Sequence, residues 1–403
     1  MRSTLGILSL IALAGCGAQP PCTDGRCLGD AGSDAGVDAG HLDGGLAYDV
    51  NDVSFLFPLP AFTLHGELLP LGASGPKGAL MPKALYDQLP LKVGEYGEIR
   101  VVGVRVDPCF PGSTPPAAPS CVKQVRLVLQ PIVSSETIDG GAGLPGLSVT
   151  QDHALHLFYV LDDVQFAAVT QGLRELKAIA GSTTNGKPLD VHPVLQAQGP
   201  GGAYWQRLNA LVTQVCGEQT LVRAAITALT PPDRWVFQAF NLQGSTLVAD
   251  EIPRAFGHTS QAFNEQGSTE HRAGVLTPSP AGDDLDTLLS WREVAQTDDF
   301  TLNSAIDSAL FIEHPAKSSP KTIDCASCHV ASRARAAAEV QRQKPSAGNP
   351  NRYTAPGFTL DRVDAAGNDP RAMRAFGYFG RLSALSQRTI NESAEIAKAL
   401  GPH

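Results

Sequence analysis

Residues Asp324 to His329 read Asp-Cys-Ala-Ser-Cys-His, and this stretch decides how the C-terminal part of the chain is organised. It opens an alanine-rich segment, Cys325 to Gln343, whose composition favours a helix. In a helix, two intervening residues place the thiols of Cys325 and Cys328 one turn apart, and His329 follows on the same side. The spacing therefore predicts two thiols and an imidazole that converge on one surface.

This C-x-x-C-H motif has three competing interpretations. In an exported bacterial protein it is the attachment site of haem c, where both thiols bond to the haem and the histidine binds the iron. A thioredoxin-like dithiol would open a helix after a strand, whereas Cys325 follows a polar loop. A zinc site would need a second ligand pair, and no cysteine follows Cys328. The motif thus favours one covalent haem c on Cys325 and Cys328, with His329 as the proximal iron ligand.

The N-terminus carries an export signal. A basic start at Arg2 precedes the apolar run Leu5–Leu13, which is too short to span a hydrocarbon core of ~30 Å. Leu13-Ala14-Gly15-Cys16 resembles the bacterial lipoprotein box, in which the signal is cut before a cysteine that receives lipid. The resemblance implies a signal peptide over 1–15, a lipidated Cys16, and a cell-envelope protein facing the periplasm or the surface. Gly17 favours the outer membrane, and an ordinary secretory signal is the alternative.

Residues 16–46 are predicted to form a flexible linker after the lipidated cysteine. Residues 30–45 read DAGSDAGVDAGHLDGG, and Gly and Asp are poor helix and strand formers. The Asp residues of this repeat lie four apart, whereas calcium loops place carboxylates at alternate positions. A solvated spacer is therefore favoured over a calcium site.

Length and charge limit the class of protein. A chain of 403 residues suggests two or three domains at roughly 150 residues each. With 40 acidic and 31 basic residues the net charge is −9, and no basic stripe indicates a nucleic-acid surface. The apolar N-terminal run is the only segment hydrophobic enough to enter a membrane, which excludes a polytopic membrane protein. We expect attachment to a membrane through lipid and no nucleic-acid partner.

The remaining cysteines fit an oxidising compartment. Cys109 and Cys121 flank a Pro-rich loop and are predicted to form a disulfide. Cys22 and Cys27 are close enough in sequence to close a small loop in the linker. Cys216, at the end of a predicted helix, is interpreted as a buried thiol that acts as a small hydrophobic residue.

Residues 297–403 are predicted to form one small, mostly helical domain. Helices are expected over Leu302–Ile312, Cys325–Gln343, a segment that opens at Pro370 (RAMRAFGYF), and Ser386–Leu400. The order of C-x-x-C-H, polar loop, methionine and terminal helix resembles class I mono-haem cytochromes c over about the last quarter of the chain. That resemblance implies that Met373 is the distal iron ligand and that the reduction potential is raised.

Other residues offer alternatives around such a haem. His314 is the alternative distal ligand, with a lower potential, and an open sixth position is a third arrangement. Guanidinium groups suit carboxylates, so Arg352, Arg371 and Arg374 are candidate partners of the haem propionates.

Residues 47–296 are predicted to form an α+β domain of unknown role. His153 and His156 are three apart in a predicted strand and so face opposite sides, which favours ordinary strand histidines over a metal pair. Asp162 and Asp163 are interpreted as the cap of the following helix. The predicted strands are Ile99–Val106, Val125–Val133, Ala154–Leu161, Leu221–Leu229, Arg234–Leu242 and Thr246–Ala249, and the predicted helices are Asp163–Ala180 and Tyr204–Cys216.

Taken together, the sequence predicts an envelope-anchored mono-haem c-type cytochrome with an α+β N-terminal domain and a cytochrome c-like C-terminal domain. One-electron transfer or redox sensing with an unknown redox partner is favoured over enzymatic catalysis. The alternatives are a ligand-binding lipoprotein with a structural haem and a peroxidase-like haem enzyme with an open distal site.

Overall fold

Strands in which apolar and polar residues alternate dominate the first two thirds of the chain. The computed structural model describes residues 47–401 except 62–66, 112–120, 135–145, 232–233, 256, 265–268, 271–290, 344 and 362–373. Its strands are β1 Ser54–Leu56, β2 Ser74–Gly75, β3 Gly78–Ala79, β4 Ile99–Pro111, β5 Cys121–Ser134, β6 Ser148–Thr150, β7 Ala154–Val160, β8 Leu221–Thr230, β9 Arg234–Gln243, β10 Thr246–Asp250, β11 Ser260–Asn264, β12 Thr269–Glu270, β13 Phe376–Phe379 and β14 Leu382–Leu385.

Most of these strands belong to one antiparallel sheet of ten strands. Its order is β1-β4-β5-β7-β8-β9-β11-β12, with β10 paired to β9 and β6 paired to β5. A tight turn at Gln243-Gly244 joins β9 to β10: Gln243 pairs with Thr246, and Gly244 has a φ of 60°. Consecutive strands are mostly neighbours, and the strand pairs of this sheet are antiparallel.

Helix ends follow local capping signals. Asp162 accepts a hydrogen bond from the backbone N–H of Gln165 at 2.8 Å, and the Gln165 side chain accepts one from Asp162 at 3.0 Å. Gly181, at a φ of 59°, ends the same helix. The helices are α1 Lys83–Tyr86, α2 Asp163–Ala180, α3 Pro193–Gln198, α4 Ala203–Val215, α5 Trp291–Gln296, α6 Asp299–Glu313, α7 Cys325–Arg342 and α8 Gln387–Leu400, with 3₁₀ turns at Val50–Asp52 and Ser346–Gly348.

Helices cover both faces of the large sheet. On one face, Leu127 and Leu157 share a hydrophobic core with Leu173 of α2 and Leu208 of α4. On the other face, Phe237 belongs to a second core together with residues of α6 and α7. Gly45–His403 form one compact unit, so segments from both sides of the predicted boundary at 296/297 pack on the same sheet.

Gln130 is one of the side chains that dock the β13–β14 hairpin on this sheet. Gln130 of β5 donates to the carbonyl of Tyr378 at 2.9 Å and accepts from its N–H at 2.7 Å. Gly377 has a φ of 150°, and a Cβ there would lie 2.5 Å from Oε1 of Gln130. Only glycine therefore allows the hairpin to approach so closely.

The hairpin stands where the sequence predicted a helix. The segment opening at Pro370 was expected to be helical through Phe379, but Phe376–Phe379 is a strand. The prediction was wrong because tertiary contacts decide the conformation of this segment. The side chains of Phe376 and Tyr378 are buried, and the Tyr378 backbone N–H donates to the side chain of Gln130. A pairing partner far away in the sequence thus overrode the local helical signal.

The other predicted helices and strands are confirmed, although most of their ends lie a few residues away from the predicted ones. The mixed α and β character with a large antiparallel sheet is likewise confirmed, whereas a cytochrome c-like fold for 297–403 stays a prediction. The signal peptide, the linker, Cys22 and Cys27 lie outside the described residues. Within the described part of the chain, no helix combines the length and apolarity needed to cross a membrane.

Candidate functional site

The C-x-x-C-H motif opens helix α7, and strand β11 fixes the position of its first turn. Asp324 is the N-cap and accepts from the backbone N–H of Ser327 at 3.0 Å. Gln261 of β11 donates to the same Asp324 oxygen at 2.7 Å and accepts from the N–H of Ala326 at 2.9 Å. The amide of Gln261 is buried, so this contact holds the start of α7 against the sheet.

That placement directs the whole motif towards one cavity. The α7 cavity is bounded by Cys325, Cys328 and His329 on the helix and by residues such as His156 and Phe237 on the sheet. All three motif residues therefore point to the same side of α7, as their spacing predicted. They are partly exposed because they line this cavity, whereas their neighbours Ala326 and Ser327 are fully buried.

The α7 cavity is small, with a volume of about 120 Å³. A second cavity of about 280 Å³ meets it at Pro320, Arg388 and Glu392. Small-molecule pockets commonly measure about 300–1,000 Å³. A ligand as large as haem would therefore require the walls at α7 or at the Arg388–Glu392 pair to move apart.

His156 lies opposite the motif histidine. The ring centroids of His156 and His329 are 6.3 Å apart, with an angle of 86° between the ring planes. In the sheet, His156 pairs with Val128 on β5 and with Ala225 on β8, so small or medium side chains flank it. Desolvation, with His329 and Arg126 close by, holds the pKa of His156 well below its usual value. Its imidazole is therefore neutral, which is the form that binds metals.

A row of arginines crosses the sheet beside this histidine. The strand register aligns Arg105, Arg126, Phe158 and Arg223 on neighbouring strands. The guanidinium carbons of Arg126 and Arg223 lie 4.8 Å and 5.7 Å from the centre of the Phe158 ring. Stacking on this ring holds two cations on the same face as His156.

Cations outnumber carboxylates along the α7 cavity. Arg105, Arg126, Arg223 and Arg388 line it, and Glu392 is the one carboxylate among the described residues that do so. Burial and the neighbouring Arg105 lower the pKa of Arg126 to about 10, which leaves it charged at neutral pH. The cavity thus has the electrostatic character of a site for an anionic ligand.

The two motif cysteines are reduced and do not favour the thiolate. Neither is in a disulfide. Desolvation and the charge of Asp324 raise the pKa of Cys325 to about 12, and desolvation also raises the pKa of Cys328. Reactive dithiols instead have lowered thiol pKa values, so this environment does not resemble that of a thioredoxin-like centre.

The surroundings of the motif also lack a complete zinc-ligand set. In the part of the chain that the structure describes, no group of three or more His, Cys, Asp or Glu residues is placed to hold a metal ion. A structural zinc site needs four such ligands.

Several residues predicted around a haem lie away from the α7 cavity. Arg374 is buried, and its Nε donates to Oδ1 of Asp152 at 2.6 Å. Arg352 pairs with Asp361. His314 caps the end of α6, and its ring packs edge-on against Tyr353 at 5.2 Å. None of these three side chains lines the cavity.

The remaining predicted residues either lie outside the described part of the chain or are cysteines away from the α7 cavity. Met373, Arg371 and Cys16 lie outside the described residues. Cys109 is disulfide-bonded, while the side chain of its predicted partner Cys121 also lies outside the described residues. Cys216 is confirmed as a fully buried free thiol in the main core.

Most residues on the sheet side of this cavity were not predicted from the sequence. His156 was interpreted as an ordinary strand histidine, and Arg105, Arg126 and Arg223 were not singled out. A signal was present, because each of these arginines lies between two apolar residues of its strand. Buried arginines in such strands indicate a polar site, since an uncompensated buried charge is costly.

Searches against protein-family models, curated proteins and solved structures gave no match to this chain, so the site rests on its own geometry and chemistry.

Proposed function

We propose that this chain carries one covalently attached haem c, held by Cys325 and Cys328 with His329 as an iron ligand, and transfers single electrons at the cell envelope. One observation carries the proposal. The two reduced thiols and the imidazole share one face of α7 and line the same cavity, opposite a second histidine and beside cationic side chains. This donor set matches the chemistry of haem c more closely than that of a dithiol or a zinc site.

The attachment step needs only what the two cysteines provide. Cys325 and Cys328 would each hold the haem through a thioether: the sulfur would bond to one carbon of a vinyl group, and the thiol hydrogen would go to the other carbon. No electrons are gained or lost.

The arginines of the α7 cavity complement the two propionates of such a haem. Guanidinium binds carboxylate through parallel hydrogen bonds. Arg223 already pairs with Asp250 at 3.0 Å, and its buried Nε finds no acceptor among the described residues. A buried donor of this kind favours a ligand that supplies an oxygen. We therefore propose Arg223 and the aligned Arg126, rather than Arg352 or Arg374, as propionate partners.

The side chains around the site influence the chemistry that a bound haem would carry out there. When bound, haem supplies a one-electron ferric–ferrous couple. The Phe237 ring packs at 5.1 Å from the His329 ring, and Phe158 lies beside the arginines, so aromatic side chains stand next to the proposed iron ligand and the proposed propionate partners. The side chains around a metal centre control solvent access and so help to set its reduction potential.

Covalent haem is the direct test of this function. We expect the full chain, coexpressed with haem c attachment machinery and exported, to keep one haem per chain after denaturing electrophoresis and acid-acetone extraction. The pyridine haemochrome spectrum should show two saturated vinyl groups. The same chain expressed without the machinery is the control. Absence of covalent haem, in cells that load a reference cytochrome c, would overturn the proposal.

The N-terminal segment supports placement of this function at the envelope. We propose that the chain is cut before Cys16, lipidated there and held at a membrane by residues 16–46. Labelled fatty acid should be incorporated into the wild-type chain and not into Cys16→Ala, while Cys22→Ala keeps the label. Label that persists in Cys16→Ala would contradict the lipid anchor.

A further inference from the structure

The large sheet offers the α7 cavity a metal ligand that the motif itself does not contain. His156 projects from the central strand β7, and its ring lies 6.3 Å from the ring of His329, centroid to centroid. Both side chains line the same cavity. The predicted alternative ligand, His314, packs on Tyr353 outside the cavity.

We infer that His156 is the second histidine ligand of the iron, so that the sheet and α7 would together hold one haem. This inference rests on the proposed function, because it names the ligand that completes the same site. The large sheet would then contribute a ligand to the site, a role that the sequence left open.

The separation of the two rings fits a shared metal ion. Metal–imidazole nitrogen distances are about 2.0–2.1 Å, so two histidines on opposite sides of one metal have nitrogens about 4 Å apart. Each ring centroid lies beyond its nitrogen by about the radius of the ring. A centroid separation of 6.3 Å is therefore compatible with coordination by both rings.

The sheet register gives His156 room to act as a ligand. The residue paired with it on β8 is Ala225, and Ala225 in turn pairs with Ala239 on β9. The next row carries the larger Arg126, Phe158 and Arg223. The small side chains leave space beside the imidazole, while the bulky row forms one end of the cavity and supplies its positive charge.

Coordination by two histidine nitrogens would affect the reduction potential of the haem. Methionine as a ligand raises the reduction potential of haem c, so a second histidine in its place lowers it. The resemblance to class I cytochromes c implied Met373 and a raised potential. The geometry instead points to a lower-potential carrier.

Spectroscopy of the loaded full-length protein tests His156 directly. We expect the wild-type ferric protein to be low-spin by absorption and electron paramagnetic resonance, without the far-red band of a methionine–iron bond. His156→Ala should keep covalent haem, lose the low-spin signal, and recover it when imidazole is added. His153→Ala and Met373→Leu are matched controls and should leave the spectrum unchanged. His153 is a neighbour whose ring accepts from the Leu229 N–H.

The outcomes separate the two proposals. A low-spin spectrum that persists in His156→Ala, or a methionine–iron band that Met373→Leu removes, overturns the role of His156 while haem attachment stands. Absence of covalent haem in the wild-type chain overturns the proposed function itself. If His156→Ala does not accumulate, His156→Met replaces it. That variant should gain the methionine–iron band, and a spectrum identical to wild type would overturn the inference.

Discussion

Replacing both Cys325 and Cys328 with serine is expected to abolish covalent haem. A serine hydroxyl does not add to a vinyl group as a thiol does, so no thioether forms at either position. Each single variant should keep one thioether and a correspondingly altered haemochrome spectrum. Haem staining after denaturing electrophoresis measures the loss, which we expect to be complete only in the double variant.

Ser327→Ala provides the matched control for this prediction. Ser327 lies between the two cysteines in the first turn of α7, and its buried hydroxyl has no hydrogen-bond partner among the described residues. Removing it should leave haem attachment intact and cost little stability. Covalent haem in the double serine variant would exclude attachment at this motif. Stoichiometric zinc in the wild-type chain, lost in the same variant, would favour the metal-site alternative.

Glu392→Gln is expected to destabilise the protein by about 3 kcal/mol at neutral pH. Glu392 accepts from Arg105 at 2.9 Å and from Arg388 at 2.7 Å, at the junction of the two cavities. Its side chain is 15% exposed, so water screens these pairs only weakly. The neutral amide would leave two nearly buried guanidiniums without their shared carboxylate. Urea unfolding of the two proteins measures the difference.

The pH dependence of that difference follows from the pKa of Glu392. Desolvation alone would raise this pKa, but Arg388, Arg105 and Arg126 together lower it from 4.5 to about 2. Because the folded-state pKa lies below the unfolded one, the stabilisation is fully present above about pH 4.5 and is lost as the pH falls towards 2. The shift corresponds to about 3 kcal/mol. The wild type and Glu392→Gln should therefore approach equal stability near pH 2.

Asp87→Asn is the control for this prediction. Asp87 pairs with Lys83 one turn away, and their side chains are 52% and 65% exposed. Removing such an exposed pair should cost well under about 1 kcal/mol at any pH. A Glu392→Gln variant as stable as Asp87→Asn at neutral pH would show that Arg105 and Arg388 do not depend on the carboxylate.

Local signals account for the parts of the fold that the sequence predicted well. Helix α2 was predicted to start at Asp163 and end at Ala180, because Asp162 caps it and Gly181 ends it within the same stretch of chain. Strands β7 and β8 were likewise predicted, because the alternation of apolar and polar residues and the presence of β-branched residues are signals that span only a few neighbouring positions.

The prediction of a helix through Phe379 failed for the opposite reason. The residues there do not specify a strand by themselves. Strand β13 exists because β14 pairs with it and because Gln130 of β5 satisfies the Tyr378 backbone. Gly377 allows this contact, but a glycine in an aromatic segment does not indicate which distant strand will approach it.

The sequence by itself determined the thiol and imidazole surface of α7. Helical periodicity depends only on residues within one turn, so the spacing of Cys325, Cys328 and His329 suffices to place them on one face. Only the tertiary structure decided what that face meets. His156 and the row of Arg105, Arg126 and Arg223 lie there because backbone hydrogen bonds between distant strands set the sheet register, and register decides which alternate side chains share a surface.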